Sequence, residues 1–547
     1  MELLEFIKIN MLKKSLNKNI FLTLIILFSA FIFSIFPLLH NGFFPTFDDV
    51  QVVRIEKMFL EIKSGQFPVR YVNDLGNNGG YFLFNYYSPV VYYIGALIHF
   101  LGFSLVKATK LTFILGYFIG TLGSFFLLRK YLRSLFSAFG SLIFITATYV
   151  GYDIYTRGDL PEFFAIMLSP WLWFCLKSLK DKYINLFIFG IFFALIISTH
   201  HITGFISSIF VFLYFLFYYK DKKIRIRIIT GILIGLGISA FYWLPVVGEI
   251  NLIALKTNPG INSQYVSNFL NPLQIGGLMH INWGFRPPLL GINLFLFTII
   301  AIFYFMKKKK ETENNFLIVS IVGLFFLISG MSYFLWKNIF ILEFVQFPWR
   351  FLTILTLFSV ILIFKLINEI KNKPIKIFCL LILCLMTLLN YSYLRPSTYN
   401  YIAIYKAEDI CSTTTWQQEY LPKNVIKCLP KNKLVPLIQA DKGQIISNFK
   451  NEKNGRNVLF TVIGNKGEIN FAKYYFPAWR VLVNGKPISP SVDEKYGTIR
   501  FEVPSGSNNV RIYLSSTQFE MFGNLISIVT ILLLPLIYKL RKYESSN

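Results

Sequence analysis

Apolar positions run in long stretches, each near the length that a bilayer crossing needs, with short polar loops between them. They fall at residues 20–39, 111–128, 135–150, 163–176, 184–199, 202–218, 228–247, 289–306, 316–335, 351–366, 375–394 and 521–540. The pattern predicts a polytopic α-helical membrane protein with about twelve transmembrane helices. One further stretch, "SPVVYYIGALIHFLGF" at 88–103, is short for a span, and whether it crosses sets the orientation of all that follows. If it lies in the interface, the basic clusters at 129–133, 177–182, 220–227, 307–310 and 371–376 all face the cytoplasm; if it crosses, all five face outward. The positive-inside rule favours the first arrangement, with both termini cytoplasmic.

Between about 394 and 520 the period changes to two. "NVLFTVIG", "AWRVLVNGKPI", "TIRFEV" and "NVRIYL" alternate as half-buried strands do, and Asn484-Gly485 is a hairpin turn signal. The expected organisation is a transmembrane domain over 1–394 with a first external loop at 40–110. An extracytoplasmic β-rich, sandwich-like domain over 395–520 follows, and then a final helix and cytoplasmic tail over 521–547.

Composition agrees with the pattern. Hydrophobic residues make up 54% and charged residues 15%, with 59 Phe, which places the chain outside the range of soluble domains. The formal charge of +26 sits in the inter-span clusters, so it speaks for topology and against nucleic-acid binding. The segment 20–39 follows Lys8, Lys13, Lys14 and Lys18, lacks a small-x-small cleavage site and reads as a retained span. Cys175, Cys379 and Cys384 lie in apolar spans; Cys411 and Cys428 lie in the external segment and are candidates for a disulfide. The chain has no Cys/His metal spacing, P-loop or dinucleotide fingerprint.

In this topology the scarce polar residues gather on one face: Asp48 and Asp49, "RGDLPEF" at 157–163, "STHHIT" at 198–203, the loop carrying Arg286, and "QFPWRF" at 346–351. Ionisable groups at a bilayer boundary are costly unless they pair or line a hydrated cavity, so the collection reads as a site. Asp48 and Asp49 precede an amphipathic stretch, and one of them can cap it. One Asp suffices for that. The other is left to accept a proton from an incoming hydroxyl or to hold a divalent cation. Arg54, Arg70, Arg157, Arg286 and Arg350 suit a phosphate, although Arg157 can instead pair with Asp159 or Glu162, and a boundary arginine can simply snorkel. His200 and His201 are adjacent on one helix and point apart, which weakens a shared-metal reading.

The ordered motifs "DDVQ", "RIE", "GQFPVR", "DLGNNGGYFLFNYYSP", "RGDLPEF", "STHHIT" and "QFPWRF" resemble the bacterial multi-pass proteins labelled 6-pyruvoyl-tetrahydropterin synthase-related, of the GT-C type of membrane glycosyltransferase, over most of 20–366. The tail from "YYFPAWRVLVNGKPI" to "SIVTILLL" is similar to the external domain and final helix of YfhO-type proteins. Two positions depart from the family pattern: Phe47 stands where His often precedes the Asp pair, and Phe82 where Pro is common. The label carries no implication of pterin synthesis.

The resemblance implies transfer of a sugar from a polyprenyl-phosphate carrier to a cell-envelope acceptor, on the outer face of a bacterial cytoplasmic membrane. Asp48 or Asp49 would be catalytic, with Asp48 preferred because Asp49 is nearer the helix it can cap. The polar set Gln51, Arg54, Arg157, Asp159, Glu162, His200, His201, Arg286 and Arg350 would bind substrate and lipid phosphate. The cofactor left open is a divalent metal on Asp48, Asp49 and Asp159. The partners expected are the lipid-linked donor, an envelope glycan or protein acceptor, and membrane lipids. The competing expectation is a non-catalytic transporter of lipid-linked saccharide, or an envelope scaffold.

Overall fold

A computed structural model describes the chain except for residues 1, 182, 219, 257–263, 282–284, 309–310, 400–412, 416–417, 431–435 and 545–547, with the side chains of 2–18, 537 and 540–544 also left aside. The described residues form two compact units built from interleaved segments. The first comprises Met1–Gln51, Val106–Leu236 and Asn262–Ala403; the second comprises Val52–Leu105, Gly237–Ile261 and Ile404–Asn547.

The first unit is helical. Among its helices are Leu105–Leu128, Leu160–Lys177, Ile184–Thr199, His201–Phe217, Ile292–Met306, Thr312–Ile328 and Leu352–Glu369. Leu352–Glu369 is the central one: it contacts Ile292–Met306, Thr312–Ile328 and Ser134–Ile145, and almost every side chain along it is buried. Where helices meet closely, glycine makes room. A Cβ on Gly120 would meet the sulfur of Met167 at 2.2 Å, which keeps Leu105–Leu128 tight against Leu160–Lys177.

Among the described residues, five helices are long and apolar enough to cross a membrane, or up to seven if each of two bent pairs is one span. Four shorter apolar helices accompany them. The expected span at 316–335 is interrupted: Thr312–Ile328 ends at an extended Ser329, and the chain continues as Gly330–Ser332 and Tyr333–Asn338. The Ser332 hydroxyl donates to the carbonyl of Leu327 at 3.0 Å or Ser329 at 2.9 Å, so a polar side chain takes up a carbonyl freed by the break. The expected span at 228–247 is likewise divided, into Lys222–Ile238 and Ala240–Glu249. The stretch 88–103 carries an 11-residue helix, Val90–Phe100. At 1.5 Å per residue that is about 16 Å, roughly half a hydrocarbon core.

The second unit holds the strands. Two antiparallel sheets have the orders β1-β4-β8-β7 and β2-β3-β9-β5-β6, where β1 is Ile438–Ala440, β2 Gln444–Glu452, β3 Asn457–Gly464, β4 Gly467–Tyr474, β5 Trp479–Val483, β6 Lys486–Ile488, β7 Ser491–Val492, β8 Thr498–Val503 and β9 Gly506–Leu514. Alternate residues point inward: Val458, Phe460 and Val462 on β3, Ile499, Phe501 and Val503 on β8, Val510 and Ile512 on β9. The sheets meet through Phe471 and Trp479, whose rings are 5.5 Å apart at 78°. Asn484 (φ 51°) and Gly485 (φ 78°) form the tight turn between β5 and β6.

Tyr71 from the segment 52–105 packs edge-on against Trp479 at 5.6 Å, and Arg70 bonds Asn85 at 2.7 Å and Asn524 at 3.0 Å. The helix Gln518–Glu544 packs along Ala240–Glu249. Cys428 is disulfide-bonded while Cys175, Cys379 and Cys384 are free; Cys411, the other expected half-cystine, lies outside the described residues.

Candidate functional site: a buried arginine among carboxylates

In the first unit a π-turn, Asp153–Arg157, ends at Gly158, which has φ 78°. Only glycine is at ease there, and a Cβ would meet Thr46 Oγ1 at 2.3 Å. The close approach lets the loop 46–48 lie directly on the turn. Phe47 N–H donates to the Thr156 carbonyl at 3.0 Å and Asp48 N–H to the Arg157 carbonyl at 2.7 Å. Gln51 adds a bond from Nε2 to the carbonyl of Asp48 at 3.4 Å.

Asp159 then opens the helix Leu160–Lys177, accepting the Glu162 N–H at 3.0 Å as an N-cap. Arg157 is centred among the acids. Its Nη2 reaches Asp159 Oδ2 at 2.7 Å, Nη1 pairs with Glu162 and lies 3.4 Å from Asp153 Oδ1, and Nε lies 3.6 Å from Asp48 Oδ2. The guanidinium lies 5.2 Å from the ring centre of Trp349.

Arg350 supports the same acid from another helix start. Its Nε is 3.2 Å from Glu162 Oε2, and its Nη1 donates to the Val345 carbonyl and Gln346 Oε1, both at 2.8 Å. Tyr149 donates to Glu162 Oε1 at 2.6 Å. His200 Nε2 stands 3.9 Å from Glu162 Oε2, and its Nδ1 is 2.8 Å from the Thr203 hydroxyl.

Exposure separates the members. The side chains of Arg157, Asp159, Glu162, His200, Asp153 and Arg350 are each 6% exposed or less, whereas that of Asp48 is 39% exposed. Burial works against the charged form of Asp159, but Arg157, His200 and Arg350 outweigh it and hold the carboxyl down to about 2. Burial lowers His200 to about 4 against the pull of Glu162 and Asp159, which leaves the imidazole neutral at pH 7.

The ligand atoms of Asp159, Glu162 and His200 lie within 4.8 Å of one another, so these three, and not the expected Asp48, Asp49 and Asp159, have the spacing of a cation site. Their oxygens are already engaged. Arg157 bridges both carboxylates, and Arg350 and Tyr149 take the rest of Glu162, so a guanidinium stands where an ion would sit.

Asp48, Arg157, Asp159, Glu162, His200 and Arg350 are thus brought together. The ring of His201 lies beside that of His200 at 5.8 Å. Asp49 is half-buried in the same turn, before the helix that begins at Gln51. Arg286 lies apart, on a cavity of about 610 Å³. Arg54 belongs to the second unit, where its guanidinium lies 3.9 Å from the ring centre of Tyr87 and bonds Tyr92 and Thr414. Sequence reasoning missed Asp153 and Tyr149. Asp153 had a signal: a lone acid in an apolar run, four residues before an arginine on the same helical turn.

Residues 84–396 match the family described as the 6-pyruvoyl-tetrahydropterin synthase related domain, a membrane protein. The chain belongs to this family. The match takes in the segments that carry Arg157, Asp159, Glu162, His200, Arg286 and Arg350, and it stops short of the Asp48 loop and the strands. No curated protein matches the chain. Solved structures similar to it include ArnT from Cupriavidus metallidurans bound to undecaprenyl phosphate (12% identity, TM-score 0.44, covering 68% of this chain and 62% of that one). The arabinofuranosyltransferase AftD from Mycobacteria is similar at 12% identity and TM-score 0.46, over 69% of this chain and 27% of that one. AglB from Archaeoglobus fulgidus, in complex with an inhibitory peptide and a dolichol-phosphate, is similar at 11% identity and TM-score 0.44, over 68% and 55%. The aligned region thus spans less than two thirds of each of these proteins.

Proposed function

We propose that this family member transfers a sugar from a polyprenyl-phosphate-linked donor to a cell-envelope acceptor, on the outer face of a bacterial cytoplasmic membrane, with Asp48 as the general base. The observation that carries this reading is the contrast in exposure: one carboxylate reaches solvent at 39%, while the charged groups beneath it are sealed. A buried ion-pair network with good geometry is a rigid mount, and removing one partner is strongly unfavourable. Arg157 therefore holds Asp48 at a fixed place, where its solvent-facing carboxylate can accept a proton.

In the reaction proposed, the acceptor hydroxyl attacks the anomeric carbon from the side opposite the lipid phosphate. Its proton passes to Asp48. The bond from that carbon to the phosphate oxygen breaks, and the electron pair leaves with the lipid phosphate. Inversion at the anomeric carbon follows. Arg157 and Arg350 are committed to Glu162 and Asp159, so the leaving phosphate calls on other cations. No step is routed through a metal, because the oxygens that would ligate one already accept from guanidinium groups.

The test is incubation of purified protein in nanodiscs with a panel of polyprenyl-phosphate sugars, labelled in the sugar, and envelope extract. Label in the acceptor together with free polyprenyl phosphate is expected for one donor. Donor binding with no transfer from any of the panel would replace this reading by that of a lipid-linked-saccharide carrier.

A further inference from the structure

The two sheets of the second unit differ in the charge they turn outward. On the four-stranded sheet the cations are matched: Arg500 pairs with Asp493 and, at 3.8 Å, with Glu468, and Lys466, just before β4, pairs with Glu502 at 3.0 Å. On the five-stranded sheet Val510 and Ile512 of β9 and Val481 and Val483 of β5 face inward, which turns Arg511, Tyr513 and Arg480 outward. Among the described residues neither Arg480 nor Arg511 has a carboxylate within ion-pair distance; their bonds go to uncharged oxygens.

Strand register sets these groups side by side. Arg480 is directly opposite Tyr513 and Leu482 opposite Arg511, so the two arginines are diagonal neighbours, about 7–8 Å apart at the backbone. The Arg511 guanidinium lies 4.9 Å from the ring centre of Tyr513, and its Nε donates to Asn457 Oδ1 at 2.9 Å. Asn457 Nδ2 in turn donates to Glu452 at 2.7 Å, which engages the acid of this face. Arg480 Nη1 donates to the carbonyls of Pro477 at 2.6 Å and Trp479 at 3.0 Å. Each arginine is held at one nitrogen and keeps its others for a ligand. Further along, the Thr461 hydroxyl donates to Asn509 Oδ1 at 3.1 Å. Side chains fixed in this way lose little freedom on binding.

We infer that the outer face of the five-stranded sheet binds an anionic glycan, with Arg480 and Arg511 on successive phosphate or carboxylate groups of the chain. The inference deepens the transfer reading above by giving the acceptor a charge and a docking place, and it rests on that reading only for calling the glycan an acceptor. Charge selects an anion: Arg480, Arg511 and the exposed Lys450 stand against Glu452 alone, and a guanidinium fork matches phosphate or carboxylate. Spacing selects a chain, since two cations on neighbouring strands meet successive charged units better than one ion. The amide of Asn509 can bond sugar hydroxyls, and the ring of Tyr513 offers an apolar surface with a polar tip. An anionic bilayer would call on the arginines and leave these two unused.

The experiment measures binding of a glycerol-phosphate oligomer and of an oligogalacturonate to the full chain in phosphatidylcholine nanodiscs by calorimetry, with a neutral dextran of similar length beside them. The variants are Arg480→Gln/Arg511→Gln and, with the same change of net charge away from this face, Lys466→Gln/Lys495→Gln. Thermal unfolding confirms that each folds. About tenfold weaker binding is expected for the arginine pair and less than about twofold for the lysine pair. Binding of one oligomer only would support the inference and name the anion. Equal weakening by both pairs would reduce the effect to net charge and overturn the placement. Dextran binding as tightly as the anionic oligomers would overturn the choice of an anion, and their displacement by phosphatidylglycerol vesicles at equal phosphate would overturn the choice of a glycan. Failure of both oligomers to bind the wild type would overturn the inference and leave the transfer reading, which the labelled-sugar assay tests separately, standing.

Discussion

The backbone N–H of Asp48 donates to the carbonyl of Arg157 at 2.7 Å, and the Arg157 side chain returns to the Asp48 carboxylate at 3.6 Å. The loop with the exposed acid is thereby fastened twice to the turn with the buried base. The position of Asp48 depends on everything that shapes that turn.

Gly158 shapes it most directly. Gly158→Ala places a Cβ at φ 78° and against Thr46, and should cost about 1–3 kcal/mol, read as a lowered Tm in detergent. Thr46→Gly in the same chain should recover the steric part and leave the backbone part. Full recovery would show that the positive φ carries no strain.

Arg350 and Glu162 test the network beneath. Arg350→Met leaves a buried carboxylate short of a partner and should destabilise by about 3–5 kcal/mol; Arg350→Met with Glu162→Gln should destabilise by clearly less than the sum of the two single changes. Additive losses in a thermodynamic cycle would show that the two residues are not coupled.

Acid should weaken the fold in two stages. His200 is held down to about 4, so between its unfolded value of about 6.5 and 4 the unfolded chain takes up a proton that the folded one refuses, and stability falls as pH drops through that window. Asp159 has the opposite charge and the same sign of effect. Its stabilisation is complete above its unfolded value of about 3.9 and is lost as pH falls towards 2. His200→Asn should flatten the upper stage of a Tm–pH profile and leave the lower one. An unchanged upper stage in that variant would remove His200 from the account.

Guanidinium in place of metal predicts that chelation is without consequence. Incubation with excess EDTA should leave transfer within about twofold of the untreated protein, and Arg157→Ala should abolish it. Loss of transfer on chelation, restored by one divalent ion, would mean that Asp159, Glu162 and His200 serve as ligands after all.

Much of the fold was legible in the sequence because burial writes it there. The quoted runs "NVLFTVIG" and "TIRFEV" are β3 and β8 residue for residue, and Asn484-Gly485 is the turn expected of it. The break at Ser239 was not legible, since apolar residues continue on both sides and one serine does not mark a bend; at Ser329 the following Gly330 was a turn signal inside an otherwise apolar run. For the site, the motifs around residues 48, 157–162, 200 and 350 lie together in space. The roles of the arginines were not readable. Arg157, Arg286 and Arg350 look alike as boundary cations, and only packing shows that two are tied to Glu162 while Arg286 faces a cavity.

Asp48 carries the proposed chemistry. Transfer from a polyprenyl-phosphate sugar should be measured for wild type, Asp48→Asn and Asp49→Asn in nanodiscs, with donor binding followed in parallel. The expected result is a loss of about 10²–10⁴-fold for Asp48→Asn with donor binding retained, the range for removal of a general base, and a much smaller effect of Asp49→Asn. Wild-type transfer by Asp48→Asn would contradict the account.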